Sequence, residues 1–349
     1  MSSFVRALGL IALPSLLAAQ AEHHPLAGDR IAIYNLAGKL RLQSGSGSQV
    51  TVDLTRGGRD AAQLRVQTGE LEGSNTLRVV YPSDHIVYPQ LGHRTRTELR
   101  VNSDGTFDDG GNDGWFSGRS RVEIRDSGSG LEAFADLVVS VPKGQRIVVH
   151  WGVGDATVSN VDGDIKVSVA AATVHAEHTR GFLKLDTGSG SVDVTDAQGE
   201  VTLDTGSGGV TVTGVRGENL FMDTGSGSIH GSDVDVKTLK MDVGSGGLRL
   251  DRLKAQSVKA DAGSGGVELS FLTPVADLTA EAGSGGITVR LPGTQGADID
   301  IETGSGGIDS DFAISTSRFA RHHVRGTIGD GTARIRIQSG SGGVHLLKS

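Results

Sequence analysis

From residue 183 onward, apolar and polar side chains alternate in short runs, as in Leu183-Lys184-Leu185, Val201-Thr202-Leu203 and Val210-Thr211-Val212. A period of two sends successive side chains to opposite faces of an extended chain, so these runs predict strands with one apolar face. No helical period of useful length follows the first twenty or so residues. The runs come in pairs, and each pair is joined by Gly-Ser-Gly. The first glycine of that unit falls at Gly188, Gly206, Gly225, Gly244, Gly263, Gly283, Gly304 and Gly340. Successive spacings are 18, 19, 19, 19, 20, 21 and 36 residues. The last is close to two periods, which predicts a rung between Asp311 and Gly331 that has lost the motif or carries an insertion. Counting back by 18 from Gly188 reaches Ala170 and Gly152, where the flanking alternation persists.

A single rung of this length cannot bury its apolar face alone. Stacking rungs about 4.8 Å apart merges the faces into one narrow core, which gives the repeat its physical reason. Glycine suits the turn because a Cβ there would recur at every level of the stack. The expected fold is therefore all-β, a parallel β-solenoid with rungs of about 18–21 residues. An antiparallel sandwich also alternates, but identical positions recurring in near-constant register favour in-line stacking.

Toward the N-terminus the pattern loosens. Ile31 to Leu42, followed by Gly45-Ser46-Gly47, reads as an early rung, and Val50 to Leu54 continues the alternation. It fails between residues 82 and 120, which hold Pro82, Pro89, the basic cluster Arg94, Arg96 and Arg100, and an Asp/Gly-rich loop. That segment reads as an excursion from the stack or a hinge. The expected organisation is 1–21 as a signal peptide, 22–140 as an N-terminal β region with the irregular segment 82–120, and 141–349 as the regular array, continuous with the N-terminal region.

The segments Val141-Pro142-Lys143-Gly144, Gly152-Val153-Gly154-Asp155 and Gly163-Asp164, with the serial Thr-Gly-Ser-Gly turns, resemble a bacterial β-strand-repeat family of adhesin-like proteins, a domain of unknown function. The resemblance covers most of the chain beyond the leader. It implies an extracytoplasmic β-helix-like fold and adhesion, and it brings no catalytic residues.

Composition sharpens this picture. Of 349 residues 53 are glycine, aromatics make up 4% and there is no cysteine. The core is expected to be thin and filled by Val, Leu, Ile and Ala, without a disulfide framework. Arg6, the apolar stretch Ala7 to Ala19 and the Ala19-Gln20-Ala21 site read as an export signal, and no later stretch is long enough to span a membrane. Net charge is −8, one unit more negative once Arg6 is removed, which argues against nucleic acid as a partner.

The most tempting chemical motif is Asp-Thr-Gly-Ser at Asp186, Asp204 and Asp223, the signature of aspartic proteases. That chemistry needs two facing aspartates sharing a proton, whereas copies at rung spacing describe a repeated turn. The repeated serines, without a matching histidine array, are read in the same way. Asp186, Asp204, Asp223, Asp242 and Asp261, continued by Glu281 and Glu302, are expected to stack along one edge, where neighbouring charges repel. Two readings would relieve this: each aspartate accepts the N–H groups of its own turn, or Ca²⁺ sits between rungs. No other cofactor is expected. Asp104, Asp108, Asp109 and Asp113 form a second acidic loop without EF-hand spacing. Trp115 and Phe116 beside it are a possible ligand contact, and the histidine pairs 175/178 and 322/323 lack a third ligand. The strand faces mix charge and shape, with neither a flat threonine array nor an aromatic ladder.

The leading functional expectation is a non-catalytic exported or envelope protein, adhesin-like or scaffolding, whose partner is a surface protein or glycan. The alternative is a β-helix enzyme acting on polysaccharide, which would need the excursion to pack over the stack and form a cleft with paired carboxylates.

Overall fold

The computed structural model describes residues 21–92, 95–107 and 119–349. The chain is a parallel β-solenoid made of two long sheets facing each other across a thin core. In the regular array each rung gives one strand to each sheet. Arg180–Ser189 lies in the first sheet, the Gly-Ser-Gly turn follows, and Val192–Thr195 lies in the second. The next rung repeats this with Gln198–Thr205 and Val210–Thr213 in exact parallel register, pairing Leu183 with Val201, Leu185 with Leu203 and Val192 with Val210. These inward columns are 0–2% exposed. Burying each Leu or Val side chain contributes about 1.5–3 kcal/mol, which is how a rung that is unstable alone becomes stable in the stack.

The two turns of a rung are built differently. At the glycine turn, a Cβ on Gly206, Gly225, Gly244, Gly263 or Gly283 would collide with the carbonyl oxygen of the equivalent glycine one level back. The close approach between levels therefore requires glycine. The other corner returns from the second sheet to the first in one sharp bend, where Asn160, His178, Asp196, Asp233 and Arg252 take φ of 52–58° and Gly214 takes 72°. Val161, Ala197, Val215, Val234 and Leu253 follow five of those residues and point into the core, each at most 1% exposed, and Thr179, 3% exposed, follows His178. The left-handed bend costs on the order of 1 kcal/mol per residue and is held by the buried residue behind it.

Spatial order departs from chain order at both ends. Strand Arg30–Ala37 lies between Gln145–Val153 and Ser74–Val80. Its companion Leu40–Ser44 lies between Ala156–Ser159 and Phe134–Val141. At the far end Ala333–Ser339 is inserted between Asp277–Ala282 and Ala297–Thr303, and Val344–Lys348 between Ile287–Leu291 and Ile308–Ser310. At each end the chain climbs two levels at once, and the skipped level is filled by a strand pair from near a terminus. The two climbs begin at Pro142 and Pro292, directly after strands ending at Val141 and Leu291. Proline cannot donate the N–H that would tie it into the next level.

The expected rung between Asp311 and Gly331 does not join the stack as a level. Ile314–Ala320 and His323–Ile328 form an antiparallel hairpin that pairs with Ala297–Thr303 and caps the first sheet. At the opposite end Val50–Gly57 and Glu22–Leu26 cap the second sheet antiparallel, and Arg65–Leu71 caps the first.

The irregular N-terminal segment is an excursion. Strands His85–Val87, Arg96–Val101 and Ser120–Arg125 form a separate sheet. Ile86, Tyr88, Phe107, Val122 and Ile124 pack against Leu36, Ala37 and Val153 on the flank of the stack. Among the described residues no helix is long and apolar enough to cross a membrane.

Candidate binding face

The outer face of the first sheet carries the charged columns. Parallel register places Asp186, Asp204, Asp223, Asp242, Asp261 and Glu281 in one row. Glu302 is not the next member: Gln338 on the inserted C-terminal strand stands between it and Glu281. The same strand sets Arg334 between Asp277 and Asp298, and Arg336 between Thr279 and Asp300. Without it, Asp298 would face Asp277 and Glu302 would face Glu281, so the charges favour the out-of-order insertion.

Beside the acidic row runs a column of Lys184, Thr202, Phe221, Lys240 and Lys259. At Phe221 the two columns enclose a shallow groove of about 360 Å³ lined by Thr202, Asp204, Phe221, Asp223, Lys240 and Asp242. Partial burial raises the pKa of Asp223 above the ordinary carboxylate value. Asp204 and Asp242 on either side push it further, and Lys240 pulls it back in part. The groove thus offers a half-buried ring, an ammonium and three carboxylates, a set suited to hydroxyl-rich or cationic ligands.

Among the described residues, the side chains of Asp204, Asp223, Asp242 and Asp261 do not hold their own turns. The next residue, which points inward, instead ties each rung to the turn one level back: Thr187, Thr205 and Thr224 donate from Oγ1 to the carbonyls of Ala172, Gly190 and Gly208, at 3.2, 3.0 and 2.8 Å. Thr224 also accepts from the N–H of Gly227 at 3.0 Å. Ser339 plays both parts at the last turn, donating to Gly285 and accepting from Gly342. Alternation explains the difference from the Asx-turn expectation: with Leu185 inward, Asp186 must face outward and Thr187 inward. Among the described residues, Asp204, Asp223, Asp242 and Asp261 make no side-chain hydrogen bond and no cluster of three or more metal-ligating side chains is assembled.

The histidines singled out by sequence pair with carboxylates or turns. His175 meets Asp193 at 3.1 Å, His178 meets Asp196 at 3.5 Å and His323 meets Asp300 at 2.8 Å, while His322 lies 3.0 Å from the Gly306 carbonyl. Trp115, Phe116, Asp108, Asp109, Asp113 and Arg94 lie outside the described residues. Asp104 is tied to Thr106 and Arg78, which lower its pKa despite partial burial. The excursion and the stack enclose a cleft of about 450 Å³ in which Asp84 is the sole carboxylate among the described residues, so these do not supply a catalytic pair there.

Reading the strand faces did not reveal one feature. At the left-handed corner a groove of about 500 Å³ is lined by Asn160, Asp162, His178, Arg180, Gln198 and Arg216. Rung-period spacing of 180, 198 and 216 was visible in the sequence, but which way a corner residue projects depends on the bend.

Stacked rungs, glycine-tight turns and mixed-charge outer faces define the molecule as a repeat-built β-stack. The chain belongs to the Toastrack DUF4097 family, whose model matches residues 108–347. No curated protein matches it. Among solved structures it is similar to a proposed cell adhesion protein from Clostridium sporogenes, with 9% identity over 95% of this chain and 100% of that one. The TM-score of 0.20 gives that likeness no weight for fold or function.

Proposed function

We propose that the protein is a non-catalytic exported or envelope rod that binds a surface protein or glycan in an adhesin-like or scaffolding role. The observation that carries this reading is the register-locked outer face of the first sheet, where the acidic row recurs at every level beside Lys184, Lys240 and Lys259 and flanks the single Phe221 groove on a rigid support. A stack whose strands are shared between levels holds such a face without the ordering cost that a mobile loop would incur on binding. The adhesive role agrees with the family's repeat architecture, and export agrees with the leader-like segment at Arg6 to Ala21. The test is an array of glycans and extracellular matrix proteins probed with the protein lacking residues 1–21, repeated with Phe221→Ala and Lys240→Glu. Binding that is lost on either substitution supports this face. Hydrolysis or cleavage of an arrayed glycan would replace the reading with the enzymatic one.

A further inference from the structure

We propose that the left-handed corner between Asn160 and Arg216 is a second binding site, specific for a carboxylate-bearing sugar on an otherwise uncharged glycan. The proposal rests on the binding role above and gives it a ligand class and a place away from the sheet face.

Arg180, Gln198 and Arg216 occupy equivalent positions on successive levels, so the two guanidinium stems stand two rungs apart, about 9.6 Å, with an amide between them. Neither arginine makes an ion pair or side-chain hydrogen bond among the described residues, and neither does Gln198. Their isolation does not come from a shortage of acid, for the chain has 41 Asp and Glu against 33 Lys and Arg. Two of the neighbouring carboxylates are already engaged, Asp162 by Lys143 at 3.0 Å and Asp235 by Lys254 at 3.4 Å, while Asp196 lies 3.5 Å from His178, an ion pair when that histidine is protonated. The corner therefore keeps two cationic forks turned onto one concavity of about 500 Å³, within the range of small-ligand sites.

Guanidinium groups recognise planar carboxylates through paired N–H donors, and two long side chains based two levels apart can converge on one anion above Gln198. Asn160 and Gln198 supply donors and acceptors for hydroxyl groups. Charge narrows the class further. With a net charge of −8 and Asp162 and Asp196 on its rim, the groove repels a densely charged polyanion. A single carboxylate gains the two forks without bringing further like charge against the acidic wall.

Isothermal titration with a uronic-acid-terminated oligosaccharide, and with the same oligosaccharide after reduction of its carboxyl to an alcohol, tests the site. Wild-type protein is expected to bind the acid at least about tenfold more tightly than the alcohol. Arg180→Ala/Arg216→Ala should lose that preference, and Arg180→Lys/Arg216→Lys should recover only part of it, because lysine keeps the charge without the fork. Both arginine side chains are exposed, so circular dichroism and melting of the variants should match wild type. Equal affinity for acid and alcohol, or unchanged affinity in the double alanine variant, overturns the proposal. So does the absence of heat with either oligosaccharide. Equal affinity for acid and alcohol alongside a glycan or protein that still binds the Phe221 face overturns the corner site and leaves the broader binding role intact.

Discussion

The row of aspartates on the first sheet sets up a measurable stability deficit. Six carboxylates from Asp186 to Glu281 sit on adjacent levels. Unit charges about 4.8 Å apart repel by roughly 0.9 kcal/mol per pair in water, and by roughly 0.5 kcal/mol after screening at about 0.15 M salt. Asp204, Asp223 and Asp242 take part in four of the five neighbouring contacts. Replacing all three with Asn therefore removes about 2 kcal/mol of repulsion at 0.15 M, about 3 kcal/mol at 0.01 M and under about 1 kcal/mol at 1 M. The nearby Lys240 and Lys259 lose attraction at the same time, so the net gain at physiological salt is expected at about 1–2 kcal/mol. Urea midpoints of wild type and triple variant, measured at the three salt concentrations, read it directly.

The pH dependence has a definite sign. A carboxylate whose pKa is raised in the folded state, as for Asp223, makes ionisation unfavourable to folding. Its destabilisation is absent below the ordinary aspartate pKa, develops as pH rises toward the elevated value, and is constant above it. The variant's advantage should accordingly be full at neutral pH and vanish in acid. Millimolar Ca²⁺ supplies the counter-test: if cations bridge the row, Ca²⁺ raises the wild-type midpoint and leaves the variant's unchanged, and EDTA reverses the gain. A variant no more stable than wild type at low salt, with wild type indifferent to Ca²⁺ and EDTA, would refute the electrostatic reasoning.

Further outcomes follow from the turns and the inserted strand. Gly227→Ala places a Cβ against the Gly208 carbonyl oxygen and should cost more than about 3 kcal/mol, whereas Gly307→Ala, with open space around it, should leave the melting temperature nearly unchanged. Thr224→Val removes both hydrogen bonds of a fully buried hydroxyl and should lower stability by about 1–3 kcal/mol in urea titrations. Arg334→Glu puts a third acid between Asp277 and Asp298 and should destabilise by about 2 kcal/mol at 0.15 M salt, with increased proteolysis beyond residue 297 as the sensitive readout.

Much of this molecule could be read along its chain, because the core is made of short local periods. Alternation placed Leu183, Leu185, Val192 and Val194 inward, and the recurrence of Gly-Ser-Gly implied levels too close for a side chain at the turn. The acidic row was equally legible, since parallel register preserves sequence offsets from one level to the next. Tertiary structure decided what those offsets do not contain. The insertion of Ala333–Ser339 between two earlier strands pairs residues such as Asp277 and Arg334, more than fifty positions apart, and the charges that meet across the gap favour it, which no local pattern contains. Thr205 rather than Asp204 ties the rung to the turn one level back because the inward or outward side of the strand, not hydrogen-bonding capacity, determines which of the two reaches the backbone. The groove between Arg180 and Arg216 exists because a left-handed bend turns three successive levels the same way, and only the folded corner brings those side chains onto one hollow.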